Sequence, residues 1–178
     1  MQVTGYQQGI LYATGSYTGG KYSVRNVDRW YCDAVQPLFG TSVYMQINQE
    51  REKPQFVVKS NRIHRPELKD VTDNIGFCRA MIEIHGVLDT NVIRGAKRLR
   101  LRIYGDEFAL RWIMDHLPAG QKKIQNIRNS IENRYTGETS AIYYQSEAEI
   151  RKILDYIAGN PSNSAVWEKW ENILKQKR

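Results

Sequence analysis

The chain has 178 residues, of which 41% are hydrophobic and 25% are charged, and this composition predicts a folded globular protein rather than a disordered one. No apolar run reaches the ~18 residues that span a bilayer, and MQVTGYQQG has neither a basic nor an apolar leader segment. We therefore expect a cytoplasmic or nucleoid-associated protein that makes no membrane contact. The net charge of +7 favours a polyanionic partner and does not by itself distinguish nucleic acid from an acidic protein or a membrane surface.

The first part of the chain alternates helical and strand-like segments. The predicted elements are a helix at 5–14, two strands within 16–26, a helix at 28–38, and two strands at 41–48 and 55–60. The first two strands meet at a Gly-Gly turn. The second helix begins at Asp28 and has Trp30, Ala34 and Leu38 on one stripe. A basic connection, NRIHRPELKD, follows and is predicted to contain a short helix opened by Pro66.

The same order then restarts after residue 73. The predicted elements are a helix ending before Gly86, strands on both sides of 91–95, a helix beginning at Asp106, strands at 122–129 and 140–146, and helices at 147–159 and 164–178. Gly15 matches Gly86, and Asp28 matches Asp106. An internal duplication of roughly eighty residues explains this repetition, with halves at 1–73 and 74–178. The predicted fold class is α/β with antiparallel sheets.

Two cysteines, Cys32 and Cys78, lie in apolar helical segments. Because the chain shows no sign of export, we expect both to be buried free thiols rather than a disulfide or a metal site.

Positive charge is concentrated on one face of a predicted strand. In KRLRLRIY (97–104) the period of two places three arginines on one face and three aliphatic residues on the other. A solvated outer face is the plain structural explanation, although such faces usually mix charges of both signs. A basic ribbon that lies against a phosphate backbone or in a major groove is the functional explanation.

Other cations are placed similarly. The predicted nucleic-acid contacts are Lys21, Arg25, Lys59, Arg98, Arg100, Arg102, Lys122, Lys123, Arg128 and Arg134. Amide side chains interleave with these cations and can pair with base edges; they are Gln46, Asn48, Gln55, Gln125, Asn126 and Asn129.

The sequence resembles the LAGLIDADG homing endonucleases in their single-chain form with two motif copies. YQQGILYATGSY is similar to the first motif, and GFCRAMIEIHGVLDT, followed by KRLRLRIYGDEFALRWI, is similar to the second motif with its strand and helix. AIYYQSEAEIRKILDYI and WEKWENIL resemble the closing strand and helices. The resemblance implies two pseudo-symmetric αββαββα halves that pack through the motif helices and straddle double-stranded DNA with saddle-shaped antiparallel sheets.

The resemblance also implies metal-dependent phosphodiester hydrolysis. In the family one acid, just before the glycine that ends each motif helix, holds the divalent ions. Here these positions are Thr14 and His85. A threonine hydroxyl is a weak ligand, and imidazole suits zinc or copper better than Mg²⁺. A protonated His85 is favourable at a helix C-terminus for structural reasons alone.

Two neighbouring acids are weak replacement candidates for a metal ligand. Glu83 lies two positions before His85 and points about 200° away from it around the helix. Asp89 follows the glycine in the strand and is the better candidate, but the first half offers only Ser16 and Tyr17. No catalytic residue is therefore assigned.

These observations favour a DNA-binding protein on a LAGLIDADG scaffold that has lost metal-dependent cleavage and has a regulator- or maturase-like role. It would be a monomer with internal pseudo-two-fold symmetry and would need no cofactor. One alternative is an active homing endonuclease that makes a site-specific double-strand cut, which would require Mg²⁺. The other alternative is an interaction protein that binds an acidic protein partner. Structured RNA is a possible ligand in place of DNA.

Overall fold

The computed structural model describes residues 2–47, 54–127 and 139–176. Over these residues the chain forms six α-helices and two four-stranded antiparallel sheets, which confirms the predicted α/β class. The chain divides into two compact units, residues 1–81 and 82–178. The halves predicted from the sequence meet where the third helix begins, at Asn74.

The first unit contains one complete sheet. Its elements are α1 (Gly5–Thr14), β1 (Gly15–Thr18), β2 (Lys21–Asn26), α2 (Arg29–Phe39), β3 (Tyr44–Ile47), β4 (Pro54–Ser60) and the start of α3 (Asn74–His85). The strand order is β1-β2-β4-β3, and every neighbouring pair is antiparallel. A 3₁₀-helix at Leu68–Asp70 replaces the helix that we expected Pro66 to open.

Local sequence explains where these elements begin and turn. Thr4 and Gln7 form a reciprocal capping box at the start of α1, which satisfies backbone donors that the first helical turn leaves unpaired. Gly19 and Gly20 form the tight turn between β1 and β2 with φ values of 57° and 74°. Residues with a Cβ adopt such positive φ values only with strain.

The buried face of α2 differs from the predicted stripe. Trp30 is exposed, and Ala34 and Leu38 are only half-buried. The residues that pack beneath the sheet are instead Tyr31, Cys32, Val35 and Phe39. The prediction was wrong by one position because both stripes are apolar. Cys32, like Cys78 in α3, is a buried free thiol, as expected.

Close helix packing in the first unit depends on residues without a bulky side chain. A Cβ placed on Gly9 of α1 would lie 2.6 Å from the Cβ of Ala80 and 2.7 Å from the carbonyl oxygen of Phe77 in α3. Tyr12, one turn further along α1, meets the ring of Phe77 edge to face, with the ring centroids 5.7 Å apart. The close approach of the two helices therefore requires a glycine at position 9.

The second unit has the same strand order. Its elements are the end of α3, β5 (Gly86–Ile93), β6 (Ala96–Gly105), α4 (Glu107–His116), β7 (Gln125–Ile127), β8 (Thr139–Tyr144), α5 (Glu147–Ile157) and α6 (Ser164–Lys175), and its sheet is ordered β5-β6-β8-β7. Asp106 caps α4 as predicted, with its carboxylate accepting from the backbone N–H of Ala109. α4 and α5 both pack against β6. In the part of the chain that the structure describes, no helix is long and apolar enough to cross a membrane.

Candidate nucleic-acid interface

The outer face of the first sheet is its side away from α2, and it is positively charged. Alternation along β2 turns Lys21 and Arg25 away from the buried Tyr22 and Val24, and the pairing of Ser23 with Lys59 places Lys59 on the same face. The strand ranges of this sheet contain no aspartate or glutamate. The three predicted cations of the first unit therefore share one face, and no acid on the strands offsets their charge.

Polar and aromatic side chains surround these cations. Gln46 and Gln55 are directly paired across β3 and β4 on this face. The Lys59 ammonium lies 5.4 Å from the centroid of the Tyr44 ring, a cation–π distance. Tyr44 was not among the predicted contacts, although its place in a strand of alternating residues indicates this face.

The outer face of the second sheet, opposite α4 and α5, carries the arginine row of β6. Leu99, Leu101 and Ile103 are buried as predicted, so Arg98, Arg100 and Arg102 take the opposite face. Their charges are not left uncompensated as the sequence suggested, because Asp89 of β5 lies in register with Arg100. Nε and Nη2 of Arg100 each lie 3.0 Å from a different carboxylate oxygen of Asp89, and Nη2 of Arg102 lies 2.6 Å from Oδ2.

This ion-paired group is partly shielded from solvent. The side chains of Arg100, Arg102 and Asp89 keep 26%, 24% and 30% of their accessible surface. The hydrogen bond from Arg100, together with the charges of both arginines, holds the pKa of Asp89 below its usual value. Asp89 is thus an ionised partner of two arginines. Both of its carboxylate oxygens, which a metal ion would need as ligands, accept hydrogen bonds from these arginines. Arg98, opposite Asn91, is exposed and forms no ion pair with any described residue.

The remaining predicted contacts are not on one surface. Lys122 lies in the loop before β7, where its ammonium is 2.9 Å and 2.8 Å from the carboxylate oxygens of Glu149 in α5. This ion pair lowers the pKa of Glu149 and fastens the loop to α5. Lys123 is exposed in the same loop.

The predicted amides also separate. Gln125 is on the outer face of the second sheet, whereas Asn126 is turned to the opposite face and accepts from the Ser140 hydroxyl at 3.0 Å. The predicted residues Asn48, Arg128, Asn129 and Arg134 lie outside the described residues.

The basic connection after β4 lies beside the end of α1. The Tyr17 hydroxyl is within hydrogen-bond distance of Nδ1 of His64, at 3.0 Å. The guanidinium of Arg65 lies 4.1 Å from the centroid of the Tyr12 ring. The basic character of this segment is visible in the sequence, but neither His64 nor Arg65 was among the predicted contacts.

Glu83 has a structural environment. Its carboxylate is buried and accepts from the indole N–H of Trp167 at 2.6 Å and from the backbone N–H of Asn163 at 3.2 Å. Both donors are at the start of α6, so Glu83 fixes this helix against α3. Among the described residues no group of three or more His, Cys, Asp or Glu is arranged to hold a metal ion.

Comparison with known proteins finds similarity in structure but not in sequence. No family model matches the chain, and no curated protein sequence does. I-LtrWI, a LAGLIDADG homing endonuclease solved bound to its target DNA, matches with a TM-score of 0.66 and 12% identity over 97% of this chain and 90% of that one. The LAGLIDADG meganuclease I-AabMI, bound to uncleaved DNA, matches with a TM-score of 0.66 and 7% identity over 97% and 89% of the two chains.

The chain has the LAGLIDADG homing endonuclease fold. The N-terminal LAGLIDADG domain of WhiA is a further structural neighbour, with a TM-score of 0.57 and 15% identity over 89% of this chain and 83% of that one. The structural similarity establishes a shared LAGLIDADG fold, and at 7–15% identity the activity of this chain is left to be argued from its own residues.

On the LAGLIDADG fold, the two positions where the resemblance places metal-binding acids are the last residues of α1 and α3. Thr14 directs its hydroxyl back along α1 and donates to the carbonyl oxygen of Ile10 at 2.8 Å. His85, half-buried at the end of α3, offers nitrogen rather than oxygen. Mg²⁺ prefers carboxylate and water oxygens, so neither position suits it, and Glu83 and Asp89 are engaged elsewhere. The residues present do not fit the family's metal centre.

Proposed function

We propose that the chain is a DNA-binding protein that holds duplex DNA with the outer face of each sheet and does not cleave it. The outer face of the first sheet carries the proposal: Lys21, Arg25 and Lys59 share it with paired amides, and its strands contain no acid. Lysine and arginine that neutralise phosphates supply most of the affinity of such proteins, and amides read base edges. The structural neighbours solved with DNA support this use of the fold.

The absence of cleavage is proposed from the chemistry of the helix ends. A two-metal phosphodiester hydrolysis needs oxygen anions that hold the ions against the scissile phosphates. Thr14 is neutral and its proton is committed to the Ile10 carbonyl, and His85 is a nitrogen donor. A regulator- or maturase-like role, in which the protein binds without cutting, follows from a retained binding surface and unsuitable metal positions.

One experiment tests both parts of the proposal. The protein is incubated with a randomised duplex library in Mg²⁺ and then in Mn²⁺, and bound DNA is recovered and examined for strand breaks. We expect bound and intact duplexes, with an affinity whose logarithm falls by about 0.9 per neutralised phosphate for each unit of log salt. Site-specific double-strand products would show that cleavage is retained. Binding that is absent or insensitive to salt would favour an acidic protein partner.

Competition separates the two candidate nucleic acids. Unlabelled duplex DNA and an unlabelled structured RNA are added in turn to the complex with a selected duplex. A regulator-like protein should release its duplex only to DNA of the same sequence, because its sheet side chains read base edges in the major groove. The deep, narrow major groove of A-form RNA does not admit such a ribbon. Preferential release by RNA would instead indicate a maturase-like role.

A further inference from the structure

Arg100, Arg102 and Asp89 form a group on the second sheet whose geometry goes beyond general attraction to phosphate. Asp89 takes the Nε and Nη2 side of the Arg100 guanidinium with both of its oxygens, at 3.0 Å each. The same carboxylate binds Nη2 of Arg102 at 2.6 Å. One acid therefore fixes two arginine side chains of β6 from the neighbouring strand.

The donors that remain point to a specific kind of ligand. Arginine has five N–H donors in a planar fork, and the pairing with Asp89 leaves the Nη1 side of Arg100 unused by these bonds. The end of the fork formed by Nη1 and Nη2 matches the O6 and N7 acceptors of guanine in a major groove. An arginine that only contacts phosphate does not require a carboxylate beside it. An acid close to the DNA backbone would weaken the phosphate contact, because the two negative charges repel each other.

Fixing these side chains also favours sequence discrimination. A long arginine side chain loses rotamer freedom when it binds, and that loss weakens a contact unless the side chain is already held in place. Asp89 holds both arginines before DNA arrives, while their partial exposure leaves the guanidinium ends accessible. Arg98, which forms no ion pair with a described residue, lacks this support and suits a phosphate contact.

We infer that Asp89 is a positioning residue that orients Arg100 and Arg102 to read guanine bases in duplex DNA, so that the second sheet supplies sequence specificity. This inference rests on the proposed DNA-binding function. It assigns the acid that the sequence suggested as a metal candidate to a different task, the orientation of base-reading side chains.

The test compares Asp89→Asn with a control that makes the same change in charge. Asp155→Asn removes an exposed acid from α5, which packs on the inner side of the sheet, and so raises the net charge equally. Wild-type protein is first used to select duplexes from the randomised library. Each variant is then titrated with the best selected duplex and with duplexes that carry each single base change.

We expect the wild type to prefer guanine at one or two positions by about 5- to 150-fold, the range of a good bidentate contact. Asp89→Asn should lose most of this preference and bind other sequences slightly more tightly, whereas Asp155→Asn should keep it. Arg100→Lys, which keeps the charge without the fork, should lose the preference at one of these positions.

Several results would overturn the inference. If Asp89→Asn raises affinity for every duplex and keeps the base preference, the acid only neutralises charge. If the wild type binds duplex DNA with no guanine preference, the inference fails while the proposed function stands. If the wild type binds no DNA in the library, the proposed function itself fails. Circular dichroism of Asp89→Asn must match the wild type, and Arg100→Lys tests the same contact without altering the acid.

Discussion

Gly9 shows how one residue determines whether α1 can approach α3. A Cβ at this position would lie 2.6 Å from the Ala80 Cβ and 2.7 Å from the Phe77 carbonyl oxygen, far inside van der Waals contact. Gly9→Ala improves the helix propensity of α1 by about 1 kcal/mol. The Phe77 carbonyl oxygen belongs to the backbone, however, and cannot move aside by a change of rotamer. We expect a net loss of about 1–3 kcal/mol of unfolding free energy from overpacking, measured by urea denaturation.

Gly105→Ala is the matched control, because its Cβ would meet Leu110 at an ordinary 3.6 Å. Its unfolding free energy should stay within about 0.5 kcal/mol of the wild type. If Gly9→Ala is instead more stable than the wild type, propensity alone governs the position and the helices are not in close contact.

Tyr22 gives a pH dependence that can be traced to a single residue. Its hydroxyl donates to the Leu11 carbonyl oxygen at 2.6 Å, and burial raises its pKa from 10.0 to about 12, with Arg65 opposing the shift. The folded protein therefore keeps a proton that the unfolded chain releases. The stabilisation is fully present below pH 10 and is lost as the pH rises towards 12, by on the order of 2 kcal/mol.

Tyr22→Phe isolates this contribution from the other tyrosines. The variant should lose about 1 kcal/mol at neutral pH through the missing hydrogen bond, and its stability should then fall less steeply than that of the wild type between pH 10 and 12. Denaturant titrations at several pH values measure both. Parallel curves for the two proteins would mean that Tyr22 ionises as freely in the folded state as in the unfolded state.

At the level of whole elements, the sequence predicts strand faces and helix starts well. The alternation in β6 assigns Leu101 and its neighbours to the interior, and Asp28 and Asp106 begin their helices as caps. Both features are local, because period-two alternation and a side chain that accepts from the next turn depend on neighbouring residues only. Local rules failed for α2, where adjacent stripes through Trp30 and Tyr31 are both apolar and only the sheet above decides which is buried.

In the candidate interface, too, the sequence predicts the face of a side chain but not its partner on another strand or helix. The position of Arg100 on an outer face follows from alternation, but its pairing with Asp89 depends on the register of β5 against β6, which spacing alone does not specify. The ion pair of Lys122 with Glu149 likewise joins residues brought together by the fold. Charges that look alike in the sequence therefore divide into compensated and uncompensated ones only in the structure.

The attachment of α6 depends on Glu83 of α3. Glu83→Ala removes the charged acceptor of the Trp167 indole N–H and of the Asn163 backbone N–H, and a hydrogen bond to a charged group contributes about 1.5–3 kcal/mol. We expect thermal unfolding at a clearly lower temperature, with a change in tryptophan fluorescence. Glu83→Gln keeps an acceptor oxygen and should lose less.

Glu168→Ala, which removes an exposed acid from α6, controls for charge and should unfold like the wild type. Because Glu83 and Trp167 act on one contact, Glu83→Ala and Trp167→Phe should be less than additive when combined. Strict additivity of the two changes would indicate that Glu83 stabilises the unit by another route.

At the scale of the whole molecule, the outer faces of the two sheets both carry basic residues, but in the described strands only the second has an acid among them. The first face has Lys21, Arg25 and Lys59 with no acid on its strands, whereas the second has three arginines and Asp89. The net charge that can neutralise phosphate is therefore greater on the first face, and the fixed hydrogen-bond donors are on the second. Under the proposed function, we attribute general affinity mainly to the first unit and the guanine preference to the second.

Two triple variants separate these contributions. Changing Lys21, Arg25 and Lys59 to Ser should weaken binding to all duplexes alike. It should also reduce the slope of log affinity against log salt by up to about 2.7, at about 0.9 for each lost phosphate contact.

Changing Arg98, Arg100 and Arg102 to Ser should reduce this slope less, because Asp89 already offsets one of the three charges. It should weaken binding to the selected duplex by several kcal/mol, since each good base contact contributes ~1–3 kcal/mol. Changing the exposed helix residues Lys152, Lys169 and Lys175 to Gln removes an equal charge from helices rather than from the strands and should alter the slope little. Equal slopes for all three variants would show that binding responds to net charge alone, and would contradict the assignment of DNA contact to the sheets.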